Sequence, residues 1–213
     1  MLTINLPHTT DISALDDFRR SQSAVYRQAY VLASLGKTEK EIRHILKKRN
    51  TGVADSWLIQ SAIKKAVGDV KSETELDKKN TSNKLGKRIF GGKNNFVRRS
   101  KGLISREEYQ QKRLLPFYSI GESPHKGNRK VDFNAESITI KPKKGVKVEI
   151  QLPKLKGKYK KYYDSLVVAA HNKELPVTVH IDDHFVYFAF DESLLVSQEK
   201  KKNLFWGALN LLH

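Results

Sequence analysis

The sequence contains no cysteine, which excludes disulfide bonds, cysteine-ligated zinc sites and cysteine nucleophiles, and fits a reducing compartment. No apolar run approaches the roughly 18 residues of a membrane-spanning helix. The first six residues, Met1 to Leu6, lack the basic-then-apolar order of a signal peptide. These absences predict a cytoplasmic protein with no membrane partner.

The common catalytic and metal-binding motifs are also missing. The seven histidines show no metal-ligand spacing, and His180 and His184 fall in a predicted hairpin rather than on a helix. Asp182 and Asp183 are interpreted as turn residues of that hairpin rather than as a metal pair. There is no P-loop, dinucleotide fingerprint or nucleophile elbow. We therefore expect no cofactor, no metal, no catalytic residue and no enzymatic activity.

Positive charge is what the sequence has in excess. Lysine and arginine number 40 against 23 aspartate and glutamate residues, a formal charge of +17, and an anionic partner would relieve the resulting self-repulsion. The charge is concentrated between residues 84 and 130, where thirteen basic residues stand against three glutamates. Aromatic residues and glycines are interleaved with them: Phe90, Phe96, Tyr109, Phe117 and Tyr118, and Gly86, Gly91, Gly92, Gly102, Gly121 and Gly127.

Each of these residue types has a use on nucleic acid. Lysine and arginine neutralise phosphates, aromatic rings stack on unpaired bases, and glycines let backbone amides approach phosphate oxygens. The alternative is a solvated basic loop whose aromatic residues fill the protein core. A second basic run is open to the same two interpretations, a phosphate contact or an ordinary solvated loop: Lys154, Lys156, Lys158, Lys160 and Lys161.

Hydrophobic periodicity predicts a strand, then helices, then a sheet. Leu2, Ile4 and Leu6 alternate in a first strand that Pro7 ends. Three helices follow between about residues 13 and 70, the second started by a Thr38–Glu41 capping box, and residues 71–87 are interpreted as a mobile linker. A second capping box, Ser105–Glu108, begins a short helix. After residue 133 the period changes to two, which predicts four strands and one inserted helix.

The order of short elements in the second half of the chain resembles a known family. Ile89-Phe90-Gly91-Gly92-Lys93 is followed by Phe96, Arg98 and Arg99, the helix from Ser105, Arg113, Tyr118 to Glu122, Lys126 to Arg129, and the strand Leu175 to Val179. This order is similar to that in the N-terminal half of TnpB-like transposon-encoded RNA-guided nucleases and compact type V CRISPR effectors. The resemblance covers roughly residues 84–192.

The resemblance implies a fold and an RNA site. We expect an α+β protein in which a helical recognition-type domain, residues 11–110, is inserted in a small antiparallel wedge-like (OB-like) β-barrel, residues 1–10 and 111–195, followed by a tail at 196–213. The expected partner is a structured guide-type RNA, and DNA through an RNA–DNA duplex. Together with the charge pattern, the resemblance predicts these RNA-binding residues: Lys87, Arg88, Lys93, Asn94, Arg98, Arg99, Lys101, Arg113, Tyr118, Lys126, Asn128, Arg129 and Lys130.

One departure from the family affects the predicted function. In the family the barrel continues into a RuvC-like domain whose acidic triad holds two metal ions, whereas here no acidic residue follows Glu199. We therefore expect RNA binding without nuclease activity, in a truncated version or in one subunit of a split nuclease with a RuvC-like partner chain. A third interpretation is a DNA-binding regulator, since the helices on either side of Gly52 resemble a helix-turn-helix.

Overall fold

The computed structural model describes residues 2–49, 55–79 and 88–191. The chain forms both helices and antiparallel sheets, which confirms the predicted α+β class. The helices are α1 Asp16–Ser34, α2 Glu39–Arg49, α3 Ser56–Lys79, α4 Lys93–Ser100, α5 Arg106–Lys112 and α6 Gly157–His171. The strands are β1 Leu2–Pro7, β2 Phe117–Ser119, β3 Gly121–Glu122, β4 Gly127–Asn128, β5 Val131–Phe133, β6 Ser137–Ile140, β7 Val148–Gln151, β8 Thr178–Ile181 and β9 Phe185–Phe190.

The chain divides into a helical unit and a sheet unit. The helical unit runs from Ala14 to Phe117, and the sheet unit is formed by the residues on either side of it. The boundaries expected from the sequence lie a few residues earlier, after residues 10 and 110.

Helices α1, α2 and α3 form the core of the helical unit. Their apolar residues recur at helical spacing and meet in one buried cluster: Val25, Tyr26, Ala29, Ile42, Leu46, Ala62, Ile63 and Ala66. The predicted capping box at the start of α2 is present. The backbone N–H of Thr38 donates to Glu41 Oε2 over 2.8 Å, and the N–H of Glu41 donates to Thr38 Oγ1 over 3.3 Å.

Helix α3 is longer than the sequence suggested, and the predicted mobile linker at 71–87 is wrong for its first nine residues. Residues 71–79 continue α3, whereas residues 80–87 lie outside the described residues. The extension has few apolar anchors, but polar contacts fix it: Glu73 accepts hydrogen bonds from Tyr30 of α1 and from Arg88. Such partners are distant in sequence, so local composition does not reveal them.

The sheet unit contains three antiparallel sheets. The largest has the strand order β1-β9-β8-β2, the second pairs β3 with β4, and the third has the order β5-β6-β7. The predicted hairpin joins β8 to β9, and Asp182 Oδ1 accepts hydrogen bonds from the N–H groups of His184 and Phe185 at 2.9 and 2.7 Å. The rings of Phe133 and Tyr163 pack against Phe188, so β5 and α6 share a core with β9.

The expected OB-like β-barrel is wrong, because none of the sheets closes within the described residues. A barrel requires the two edge strands of a sheet to pair with each other. Here β1 and β2 lie at opposite edges of the four-stranded sheet, and β5 to β7 form a separate sheet. The strands between residues 117 and 133 have only two or three residues each, which is too short for a continuous ladder.

Helix α3, with 24 residues, is the longest in the described part of the chain. Its length alone matches the thickness of a bilayer, but charged residues recur along it, among them Lys64, Lys65 and Asp69. No helix among the described residues is both long enough and apolar enough to cross a membrane.

Candidate nucleic-acid interface

The segment that follows α3 in the described chain is shaped by two adjacent glycines. Gly91 and Gly92 have φ angles of 89° and 84°, in the region that favours glycine. A Cβ on Gly91 would lie 2.8 Å from Arg113 Cγ and 3.2 Å from Tyr109 Cε2. Tyr109 also donates a hydrogen bond from its hydroxyl to the carbonyl of Phe90 over 3.0 Å. The glycines therefore allow the end of α5 to pack directly on the turn that starts α4.

Helix α4 ends in a Schellman motif. The N–H of Leu103 donates to the carbonyl of Arg98 over 2.8 Å, and the N–H of Gly102, at φ 71°, donates to the carbonyl of Arg99 over 3.1 Å. Ser105 then caps α5 by accepting a hydrogen bond from the N–H of Glu108, which confirms the second predicted helix start. A glycine turn thus holds α4 at each end, and the sequence pattern did not predict this helix.

Helix α4 presents its cations to solvent. None of its eight residues is buried, and the predicted site residues Lys93, Asn94, Arg98, Arg99 and the following Lys101 are all exposed. No ion pair among the described residues includes any of these cations. The negative end of the helix dipole favours the two arginines in the last turn, but their charge is available to a ligand.

The nearby acidic groups compensate this charge only in part. Glu107 lies in the first turn of α5. Hydrogen bonds from its own backbone N–H and from Ser105 lower the pKa of its carboxyl, and the charges of Arg106 and Arg99 lower it further. Glu107 is therefore ionised at neutral pH. Arg106 and Lys112 of α5 are also exposed, so the excess of positive charge extends from α4 to α5.

Arg88 is placed differently from the α4 cations. Its Nη1 lies 2.8 Å from Glu73 Oε1 and 3.5 Å from Asp69 Oδ2 of α3. Its guanidinium carbon is 5.3 Å from the ring centre of Tyr30 and 5.7 Å from that of Tyr26. These contacts attach the chain to α1 and α3 and offset the charge of Arg88. Lys87, the preceding predicted site residue, lies outside the described residues.

The two tyrosines beneath Arg88 are neutral hydrogen-bond donors. Burial, and then a 2.5 Å hydrogen bond to Asp69, raise the pKa of Tyr26 far above its usual range. Burial and the hydrogen bond to Glu73 raise the pKa of Tyr30 to about 12. Each hydroxyl therefore satisfies a carboxylate that Arg88 also approaches, which makes this cluster a part of the helical core.

Arg113 lies at the end of α5 and is partly buried. Its guanidinium carbon is 5.7 Å from the ring centre of Tyr109, and its backbone carbonyl accepts a 3.2 Å hydrogen bond from Arg27 Nη1. Burial, and secondly the charge of Arg113, lower the pKa of Arg27. Arg113 thus contacts the α1 side of the helical unit and does not share the exposed face of α4.

Asn128, another predicted RNA contact, is buried in the sheet unit and is only 2% exposed. Its Nδ2 carries two N–H groups and donates to the carbonyls of Ser119, Ile120 and Val177 at 3.1, 3.3 and 2.9 Å, so at least one N–H is shared between two acceptors. Its Oδ1 accepts from Ser119 Oγ at 2.7 Å and from the N–H of Lys130 at 2.9 Å. The side chain therefore joins β4 to the end of β2 and to the residue that precedes β8, through hydrogen bonds that use both of its polar atoms.

The remaining predicted residues surround Asn128 on the sheet unit. Arg129 forms a two-point ion pair with Glu122, with Nε 3.0 Å from Oε2 and Nη2 3.3 Å from Oε1. The Tyr118 ring packs edge-on against His180 at 4.5 Å. Lys126 is exposed in a left-handed conformation at φ 51°, and Lys130 is half-buried. The predicted site residues are thus divided between the two units, and Arg129 already has an acidic partner.

Three exposed residues of the helical unit were missing from the predicted site: Phe96, Arg106 and Lys112. Their signal in the sequence is their position between Gly92 and the end of α5. The second basic run, by contrast, enters α6, where Lys160 Nζ lies 2.7 Å from Asp164 Oδ2 and Lys158 Nζ lies 5.4 Å from the ring centre of Tyr162. Intrahelical contacts thus already engage these two lysines.

Comparisons with known proteins do not identify the chain. No protein-family model matches it, and no curated protein has a matching sequence. Among the described residues, no group of three or more histidine, aspartate or glutamate side chains could hold a metal ion. The family resemblance and the expectation of no nuclease activity therefore stay predictions.

Proposed function

We propose that the protein binds a structured, guide-type RNA through the exposed cations of α4, α5 and the residue between them, and has no nuclease activity of its own. The α4–α5 surface is defined by these residues: Lys93, Arg98, Arg99, Lys101, Arg106 and Lys112. The observation that carries the proposal is that all six are exposed and that none of them takes part in an ion pair among the described residues. Phosphate oxygens are the ligands that such a surface attracts.

The placement of the other cations supports this choice of surface. Arg88 and Arg129 are offset by carboxylates of their own units, and Arg113 packs on Tyr109. A cation that is already paired with a carboxylate gains less binding free energy from a phosphate. Residues with internal partners are therefore weaker phosphate ligands than the α4 cations. We propose that Arg88, Arg113 and Asn128 act mainly in the fold, and that Lys126 and Lys130 provide secondary contacts from the sheet unit.

The proposal of a guide-type RNA, rather than RNA in general, is supported by the order of motifs around this surface. The Ile89 to Lys93 element, which is part of that order, forms the turn that starts α4, and the helix capped by Ser105 is α5. We extend the proposal to an RNA–DNA duplex and to a RuvC-like partner chain on the same basis. In a cell, the protein would then act with a catalytic subunit in the cytoplasm.

Salt dependence of RNA binding tests the surface. Each neutralised phosphate adds about 0.7–0.9 to the slope of log affinity against log salt concentration. Replacing both Arg98 and Arg99 by alanine is therefore expected to reduce that slope by about 1.4–1.8. The matched control is Lys144→Ala with Lys147→Ala, which removes the same charge from exposed positions of the sheet unit. An equal reduction in both variants would contradict a specific surface.

The type of RNA and the absence of cleavage need a second experiment. The protein is purified from its host at moderate salt, and the co-purifying RNA is sequenced. One dominant structured transcript is the expected result, whereas unrelated RNAs would contradict a guide. Metal-dependent cleavage of DNA by the purified protein would contradict the absence of a nuclease, and preference for one DNA duplex over RNA would favour the helix-turn-helix regulator.

A further inference from the structure

The five aromatic residues of the basic segment differ in how much of each ring a ligand can reach. The Phe90 ring packs edge-on against Tyr26 and Tyr30 at 6.0 and 5.4 Å. Phe117 is completely buried, and Tyr118 is half-buried against His180. Tyr109 is also half-buried. Phe96, by contrast, is 50% exposed, which makes it the most accessible ring of the five.

Phe96 lies between two cations on one side of α4. Lys93, Phe96 and Arg99 are spaced three residues apart, and residues at this spacing are neighbours on a helix surface. The rise between successive members is about 4.5 Å. Phe96 is also supported from within the unit, because its ring centre lies 6.4 Å from that of Tyr109 at an interplanar angle of 57°. The ring is therefore held in place on one side and accessible on another.

The surroundings of Phe96 are apolar as well as cationic. Val97, the next residue on α4, is 38% exposed, and Leu103, which follows the helix, is 65% exposed. A surface that bound only the phosphates of a closed duplex would have no use for an exposed ring, because paired bases are already stacked on one another. An unpaired base offers a π-face, and stacking on an aromatic side chain contributes about 1–3 kcal/mol per base.

We infer that the α4–α5 surface binds an unpaired nucleotide of the RNA, with its base stacked on Phe96 and the flanking phosphates at Lys93 and Arg99. This inference rests on the proposed RNA-binding function and specifies which part of the RNA the surface contacts. A bulge, a loop or a single-stranded end provides such a nucleotide. Because every base has a π-face, the contact selects unpaired over paired RNA without selecting a particular base.

The test compares two RNAs and three substitutions. The probes are an unstructured RNA oligonucleotide and a fully paired RNA duplex of the same composition, with binding measured by fluorescence anisotropy. Phe96→Leu is expected to weaken binding of the unstructured RNA by about 5- to 150-fold, the range that corresponds to the loss of one stacked base, and to change duplex binding less than twofold. Phe96→Trp is expected to retain the binding, and Leu76→Ala on α3, where the side chain is also 50% exposed, is the control for loss of an exposed apolar side chain.

The outcomes separate this inference from the proposed function. If Phe96→Leu has no effect while the Arg98 and Arg99 double variant weakens binding, the unpaired-nucleotide contact is wrong, but the α4–α5 surface is still supported as the RNA-binding surface. If neither variant changes RNA affinity, the proposed surface fails as well. Equal weakening on both RNAs, or weak binding by a folded Phe96→Trp variant, would also overturn the inference, because the ring would then act only through the fold. Quenching of the added tryptophan by unstructured RNA would support it.

Discussion

Replacing Asn128 by alanine distinguishes a structural role from a ligand contact. The side chain is buried and takes part in five hydrogen bonds, three through Nδ2 and two through Oδ1. Each intramolecular hydrogen bond contributes about 0.5–1.5 kcal/mol net, and buried partners left unsatisfied cost more. Since two of the five bonds exceed 3.0 Å, we expect the free energy of unfolding to fall by about 3–5 kcal/mol.

Urea denaturation monitored by circular dichroism measures this change. A loss of this size is a large part of the roughly 5–15 kcal/mol that stabilises a typical domain. Lys126→Ala is the matched control, since Lys126 is exposed two residues away and its loss is expected to change stability by less than about 0.5 kcal/mol. If Asn128→Ala kept the denaturation midpoint of the wild type but lost RNA affinity, the side chain would face the ligand and the structural assignment would be refuted.

Three further predictions follow from the helical unit. Gly91→Ala is expected to lower the free energy of unfolding by about 1–3 kcal/mol, because φ is positive and the new Cβ would lie 2.8 Å from a side-chain carbon. Gly68 lies in an open position within α3, so Gly68→Ala is expected to raise the free energy of unfolding by about 0.5–1 kcal/mol in the same denaturation assay. Hydrogen bonds from Thr38 lower the pKa of Glu41 to about 2, so this carboxylate stabilises the fold above its unfolded pKa near 4.5, and the contribution is lost as the pH falls towards 2. Glu41→Gln removes the titrating carboxylate and is expected to flatten the pH dependence of thermal stability over that interval, and an unchanged pH profile would contradict a contribution from this carboxylate. Arg88→Ala is expected to lower the free energy of unfolding by about 1–2 kcal/mol while leaving the salt slope of RNA binding unchanged, and a reduced slope would place this residue on the ligand.

The parts of the fold that could be predicted from sequence depend on neighbouring residues. The capping box at Thr38, the N-cap at Ser105 and the turn at Asp182 each involve partners two or three residues apart. Residues so close in the chain meet in almost any fold that contains the element. The first strand, β1, was also predicted correctly, because its alternating burial follows from its alternating sequence.

The parts of the fold that could not be predicted either depend on contacts between residues far apart in the chain or bury no residue. The extension of α3 is fixed by Tyr30 and Arg88, which are 43 and 15 residues from Glu73. Helix α4 buries no residue, so it has no apolar stripe that a periodicity search could detect. Closure of the expected barrel depends on pairing between strands far apart in sequence, and no local pattern reports whether that pairing occurs.

The candidate site was predictable as a region but not residue by residue. Composition identified the basic segment, and the resemblance placed motifs within it. Neither showed whether a polar residue faces solvent or the interior. The position of Asn128 in a motif suggested an exposed contact, whereas its buried amide donates to the carbonyls of Ser119 in β2 and Val177 before β8. For the same reason, Phe96 was not distinguished in advance from the buried aromatic residues around it.

Helix α4 buries none of its residues and is held between two glycine turns, so few of its side chains are fixed by the fold, apart from Asn95 on the Gly91 carbonyl and Phe96 on Tyr109. Most substitutions between Gly92 and Gly102 would alter what the surface contacts without unfolding the protein. Under the proposed function, the residues that contact the ligand and the residues that stabilise the helical unit would form largely separate sets. The surface chemistry of α4 could then be altered by substitution while the rest of the chain is kept.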